Sequence, residues 1–269
     1  MKYPAKITKL YLLKLSMPIF FSNLAIPLVG VVDTALMGHL SSATFLAAAS
    51  IATSVMTMIL WSFGFLRMGT VGLVAQSLGK GDYREIVLIT LRNLTIACIV
   101  SVFIILMKNP ILLLIENYFN LSQETFRLIK QYISIRILAA PAELIVYVFV
   151  GLYLGLQKTK ISSFLIILYS ILNIFFSIYF VIYLNLDIFG VALGTVLSSY
   201  IIVFIFILFT YFYFKKNFNL TPRYKKIFVF RKLLKLLSIN LDIFIRTVLL
   251  TSAFLWITYQ SSILGEDYL

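Results

Sequence analysis

Cysteine occurs once in the chain, at Cys98, and histidine once, at His39. A single cysteine excludes an intrachain disulfide. No base stands beside it in LTIACIVSVF for thiol chemistry, so a buried, inert thiol is expected. A lone histidine cannot build a usual zinc or haem site. Following Gly38 at the end of an apolar run, it suits an interfacial or capping role better than a proton relay. Charge is scarce too: 12% of residues are charged, with 10 acids against 23 Lys and Arg. Soluble chains hold about 25% charged and about 45–50% apolar residues, whereas this one is 61% hydrophobic. Period-two alternation of the barrel kind is missing, and the apolar runs are long enough to cross a core of about 30 Å as helix. The expected class is an all-α integral membrane protein, spanning by helices because these satisfy their own backbone groups.

Further absences narrow the function. Gly79–Lys80 lacks the upstream glycines and following Ser or Thr of a phosphate loop, so no ATP site is expected and energy must come from an ion gradient. Clusters of His, Cys or paired acids do not recur at one depth, so the chain does not read as an enzyme and implies no cofactor or metal. The net charge of +13 is concentrated rather than spread. Eight basic residues lie between Lys215 and Lys235, and four more at Lys2, Lys6, Lys9 and Lys14. Short basic segments beside apolar runs follow the positive-inside rule and bind anionic lipid headgroups, which leaves no need for a nucleic-acid partner.

Seven apolar segments are expected, at about 12–37, 44–76, 87–108, 129–156, 161–184, 188–213 and 236–260, by the span length of about 20 residues. Gly64, Gly69, Gly72 and Arg67 predict a bent or extended inner end for the second. An amphipathic stretch from Asn109 to Arg127 is expected along the interface. With the N-terminus in the cytoplasm, inner segments hold Lys80, Arg84, Arg92, Lys158, Lys160 and the 215–235 cluster. The opening apolar run is too long for a signal-peptide core and reads as a retained span. The organisation reads as a six-helix lobe over 1–214, a basic cytoplasmic linker over 215–235, and one further helix within 236–269. Transporters are commonly built from two related repeats, so a seven-helix chain of this kind reads either as one repeat plus the start of a second or as a true seven-helix protein.

Asp33 stands out, an acid about 6 Å inside the outer end of the first span at 1.5 Å per residue. A carboxylate there costs several kcal/mol unless it faces a cavity, finds a partner or takes up a proton. Pro18 and Pro27 share its helix and favour bends. Asn23, four residues before Pro27, is placed to satisfy a freed carbonyl. Asp33 therefore reads as an ion-coupling acid or as a structural one bonded to neighbouring helices. Asn173 and Ser177 share one face at i and i+4 and suit either contact with Asp33 or simple glue between helices. Glu143 follows Pro141, with Arg136 seven residues before it. At about 10 Å of helix rise the two are expected not to pair directly, and Glu143 reads as a proton site or part of a structural network. Arg67 and Gln76 are expected at the inner border of the second span, and Asp242 with Arg246 as a surface pair at i,i+4.

The segments PLVGVVDTALMGHL (27–40), FGFLRMGTVGLVAQSLGKGD (63–82), AAPAELIVYVFVGLYLGLQKTK (139–160), GVALGTVLSSY (190–200) and NLDIFIRTVLL (240–250) carry a resemblance. In this order they resemble the multidrug and toxic compound extrusion (MATE) family, specifically its DinF-like branch. The resemblance implies a twelve-helix, two-lobed exporter of the bacterial inner membrane. Such an exporter trades protons or sodium for amphipathic, often cationic compounds. It also implies that Asp33 is the coupling carboxylate, Pro18 the bend that responds to it, and Asn173 its partner in the fifth span. Ser177 stands where many relatives carry a second aspartate, which weakens a sodium site and the proton network alike. By the resemblance the second lobe is missing, and a fragment, or a half that assembles with another, is expected. A flippase for lipid-linked precursors and a non-transporting membrane assembly half-protein are the alternatives.

Overall fold

A computed structural model of the chain describes residues 9–40, 43–119, 121–218, 241–247 and 249–250. Among these residues the fold is all helical. The elements are α1 (Lys9–Gly38), α2 (Ala43–Ser62), α3 (Phe65–Gly79), α4 (Tyr83–Leu106), α5 (Lys108–Tyr118), α6 (Gln123–Arg136), α7 (Ala140–Gly155), α8 (Thr159–Ile178) and α9 (Asp187–Phe218). Six stretches are long and apolar enough to cross a membrane: Lys9–Gly38, Thr44–Gly79, Tyr83–Leu106, Gln123–Gly155, Thr159–Tyr183 and Asp187–Asn217. These match the first six expected spans. The linker beyond Phe218 and most of the seventh span lie outside the described residues, although 241–247 are helical.

Local sequence explains where the helices start and break. The Asp82 carboxylate accepts the Glu85 amide at 2.9 Å and caps α4, after Gly81 makes the turn at φ +70° that glycine alone adopts freely. Ser122 caps α6 by accepting the Thr125 amide at 3.2 Å. The expected bend in the second span is a break at Phe63–Gly64, where tighter bonds to Leu60 and Trp61 (3.0 and 2.9 Å) replace the regular ladder. Pro141 sits in the first turn of α7. It has no amide to donate to Ile137, and a 3-10 turn over Ile137–Ala139 joins α6 to α7. By contrast α1 runs without interruption through Pro18 and Pro27. At the far end of α8 a π-helical turn, Tyr179–Tyr183, leads to a loop whose Asn185 and Asp187 take left-handed φ of 51° and 46°.

The core gathers on α7, whose Leu144, Val148, Phe149, Leu152 and Tyr153 are all buried. A Cβ on Gly151 would lie 2.7 Å from the Arg67 carbonyl oxygen, and one on Gly155 would lie 2.8 Å from the Val74 side chain. This small-xxx-small spacing lets α3 and α7 touch backbone to backbone. α1 packs mainly along α8, where the Ser22 and Ser163 hydroxyls bond at 3.3 Å. Only 6% of its most apolar stretch is buried. Exposed Phe20, Leu24, Phe164, Ile171, Phe204 and Phe212 give the bundle an apolar outer surface. The amphipathic α5 buries Leu112 and Ile115.

Three expectations are corrected. Cys98 is exposed, not buried; on a bundle clad in apolar side chains, a small apolar thiol has no reason to turn inward. Arg92 does not belong to a loop. It lies inside α4, 1% exposed, with its Nη1 2.9 Å from Glu85 Oε1 two turns earlier on the same face. Asn23 is exposed and makes no side-chain bond to a carbonyl within α1, so it does not mend a proline bend.

Candidate functional site

Asp33, five residues before the end of α1, is half-buried, and its Oδ1 has no hydrogen-bond partner among the described residues. The Ser177 hydroxyl of α8 lies against this carboxyl, and the Arg136 guanidinium of α6 is close enough to act on it electrostatically. The expected contact between Asp33 and Ser177 is present. Ser177 donates to Asn173 Oδ1 at 3.4 Å, and Asn173 Nδ2 donates to Thr195 Oγ1 of α9 at 3.1 Å. The row from Asp33 to Thr195 therefore crosses three helices.

Close backbone approach makes that row possible. A Cβ on Gly194 would fall 2.7 Å from the Ser177 backbone nitrogen and 2.9 Å from its hydroxyl. With hydrogen there instead, α9 closes over Ser177, which is fully buried.

A second polar group lies beside the first. Arg136 Nη2 is 2.7 Å from Glu143 Oε1, with both side chains 13% exposed. This overturns the expectation that the two are too far apart. Residues seven apart share a face, and two long side chains leaning toward each other close a helical rise of about 10 Å. Glu143 also stands in the first turn of α7, where the helix dipole favours an acid. Tyr169 of α8 donates to the same Glu143 oxygen at 3.4 Å and shares a bond with Ser199 at 3.2 Å. Thr53 of α2 donates to the Tyr132 hydroxyl at 3.2 Å, and Tyr132 lies within the electrostatic reach of both Asp33 and Arg136. Elsewhere in the bundle, Arg92 and Glu85 form a further ion pair.

The other candidates sit elsewhere. Pro18 is half-buried nearer the start of α1 and Pro27 is exposed. Pro141 belongs to the turn that brings Arg136 and Glu143 onto one face. Arg67 is half-buried on α3 and reaches the group only through Tyr147, which feels both Arg67 and Glu143. Gln76 is exposed at the end of α3. Asp242 and Arg246 are both exposed and form no ion pair, correcting the expected i,i+4 contact; exposed pairs of this kind gain little. His39 keeps its capping role, with Nδ1 2.7 Å from the Ala35 carbonyl oxygen. Tyr132, Tyr169, Gly194, Thr195 and Ser199 were not singled out in the sequence. The one available signal was the i,i+4 spacing of Thr195 with Ser199 and of Tyr132 with Arg136.

No group of three His, Cys, Asp or Glu converges among the described residues. The cluster joins one half-buried acid with an unsatisfied oxygen to hydroxyls, an amide and a neighbouring guanidinium. It can take up or release a proton without breaking an ion pair.

The MatE family model matches residues 18–179, more than half of the chain. DNA damage-inducible protein F of Escherichia coli (strain K12) is 31% identical over 253 residues, covering 94% of this chain and 55% of that protein. Protein DETOXIFICATION 43 of Arabidopsis thaliana is 34% identical over 92 residues, 34% of this chain and 17% of that protein. Among solved structures, an outward-facing multidrug resistance MATE family transporter superposes with a TM-score of 0.83 at 20% identity, covering 93% of this chain and 55% of that one. A MOP superfamily transporter from Pyrococcus furiosus gives 0.84 at 20% identity, with 95% and 56% covered. The chain thus spans about half the length of the E. coli relative and of these structures. By its matched segments, the chain belongs to the MatE family.

Proposed function

We propose that this chain forms the ion-coupling lobe of a membrane antiporter that exchanges protons for amphipathic, cationic compounds. The observation that supports this most is Asp33. Its carboxyl is half-buried, lies beside a hydroxyl, has one oxygen without a partner and forms no ion pair. Neutral, it can remain packed against α8; charged, it requires polar company that the surrounding row only partly supplies. Asn173, Ser177 and Thr195 offer oxygen atoms to a sodium ion as well. With one carboxylate among them, however, they lack the charge that favours a metal over a proton. In this reading Pro18 and Pro27 let α1 change shape, because each removes a backbone bond.

The organisation goes with it. Residues 1–214 are the lobe, 215–235 a cytoplasmic linker and 236–269 the start of a second lobe, in the plasma membrane of a bacterium with the N-terminus inside. The basic clusters support that orientation. A second lobe of similar size completes the pathway.

The experiment is Asp33→Asn in the complete transporter, measuring efflux of ethidium from cells against an imposed proton gradient. Loss of gradient-driven efflux, with membrane insertion unchanged, is the expected result. Efflux that persists at the unmodified rate and stays pH-dependent removes Asp33 from the coupling role. If the complete transporter instead moves a polyprenyl-linked sugar between leaflets and leaves ethidium behind, the flippase reading replaces antiport.

A further inference from the structure

Two buried polar atoms in the cluster lack partners, and they belong to opposite charges. One is Oδ1 of Asp33 on α1; the other is Nη1 of Arg136 on α6. Arg136 uses its other terminal nitrogen, Nη2, to hold Glu143 at 2.7 Å. No ion pair joins it to Asp33, yet it lies within electrostatic reach of that carboxyl. A buried guanidinium nitrogen left without an acceptor loses more than an ordinary hydrogen bond is worth, because the charged group has also been taken out of water. A nearby carboxylate oxygen in the same condition is the natural acceptor. The planar fork of arginine can serve two acceptors at once through separate nitrogens, which lysine cannot copy.

We propose that Arg136 is a counter-ion shared between Glu143 and Asp33. It stays on Glu143 while Asp33 is neutral, and it turns its second nitrogen to Asp33 when that carboxyl ionises, drawing α1 toward α6. Arg136 is then a positioning residue that converts the charge on one helix into the placement of another. This rests on the antiport reading of Asp33 and adds the part that feels its charge. The surroundings leave little competition for either atom. The titratable and charged groups facing the pair are Tyr132 on α6, Glu143 and Tyr147 on α7, and Tyr169 on α8, with Arg67 of α3 acting through Tyr147. α2 and α9 contribute the uncharged Thr53, Thr195 and Ser199. Glu143 keeps the Tyr169 hydroxyl at 3.4 Å as a partner when Arg136 shifts.

The test uses the full chain in liposomes, with Cys98→Ser to remove the native thiol. Nitroxides are placed through Val31→Cys, 63% exposed on α1, and Gln131→Cys, exposed on α6. The distance between labels is read by pulsed electron resonance across a pH titration. The expected result is a shorter distance at alkaline pH, with a transition that Asp33→Asn removes. Removing the shared cation with Arg136→Gln should move the transition to higher pH by about tenfold or more in proton concentration, as loss of a close opposite charge does. Glu143→Gln, which frees Arg136 for Asp33, should move it the other way. Arg136→Lys keeps the charge but not the fork, and should lose the shortening at alkaline pH while moving the transition less than Arg136→Gln does.

A transition unmoved by Arg136→Gln, or Arg136→Lys behaving as the unmodified chain, overturns the sharing while leaving the role of Asp33 standing. If Arg136→Gln fails to insert, Glu143→Gln decides, and an unchanged transition in it overturns the sharing. A transition that survives Asp33→Asn defeats the antiport reading and this inference with it.

Discussion

Ser177 meets the backbone of α9 at Gly194 with no space between them, and that contact fixes the hydroxyl against Asp33. A side chain at 194 would press on the Ser177 backbone nitrogen at 2.7 Å, which cannot swing aside as a side-chain tip can. Gly194→Val should therefore destabilise the lobe by about 1–3 kcal/mol, the usual cost of overpacking, seen as a lower unfolding temperature in detergent. Arg92 makes the opposite kind of demand. It is 1% exposed and its carboxylate partner is Glu85, one-fifth exposed. Glu85→Gln leaves a buried cation with a weaker acceptor, and a loss of about 3 kcal/mol is expected by the same measurement, at the lower end for broken buried pairs. The Arg92 pair lies outside the Asp33 row, so a loss of helix content rather than a changed pH profile is the signature of Glu85→Gln.

Helices and their breaks were the most legible part of the sequence, and side-chain partnerships the least. Long apolar runs dictate spans because each must satisfy its backbone inside the bilayer, and the six described spans fall within a few residues of those read from the chain. Gly64 likewise announces its break, whereas the turn at Pro141 was hidden inside an unbroken apolar span. The Arg136–Glu143 contact was hidden because backbone rise says nothing of how far two long side chains lean. Tyr132 and Tyr169 were hidden among 16 tyrosines, most of them candidates for interface or packing. Arg92 was misplaced because a basic residue near the end of a span reads as loop until its partner is seen. Cys98 was misplaced because apolar character decides burial only where the outside is water. On α4 it faces outward with Ile99, Val102 and Phe103. A nitroxide attached there should show high accessibility to oxygen and low accessibility to a water-soluble nickel complex, the pattern of a lipid-facing site.

The charge pattern of the chain as a whole makes its own prediction. Eight of the 23 Lys and Arg lie between 215 and 235, and juxtamembrane basic clusters are held on the cytoplasmic side. A green fluorescent protein fused after Phe218 should therefore fluoresce, and alkaline phosphatase at the same place should stay inactive. The reverse pair of readings would invert the lobe and put Asp33 near the cytoplasm. The chain covers 55% of the E. coli relative, and α1 leaves most of its apolar surface uncovered.

That uncovered surface bears on how α1 can move. Its principal packing is a seam with α8, marked by the Ser22–Ser163 bond at 3.3 Å, with Tyr11 donating at 3.2 Å to Gln157 in the turn just before α8. A rod fastened along one edge swings about that edge like a door on its jamb, and it need not push through a packed interior to do so. Tightening the jamb, for instance with a disulfide between α1 and α8, would stop the swing without altering a single ionisable group.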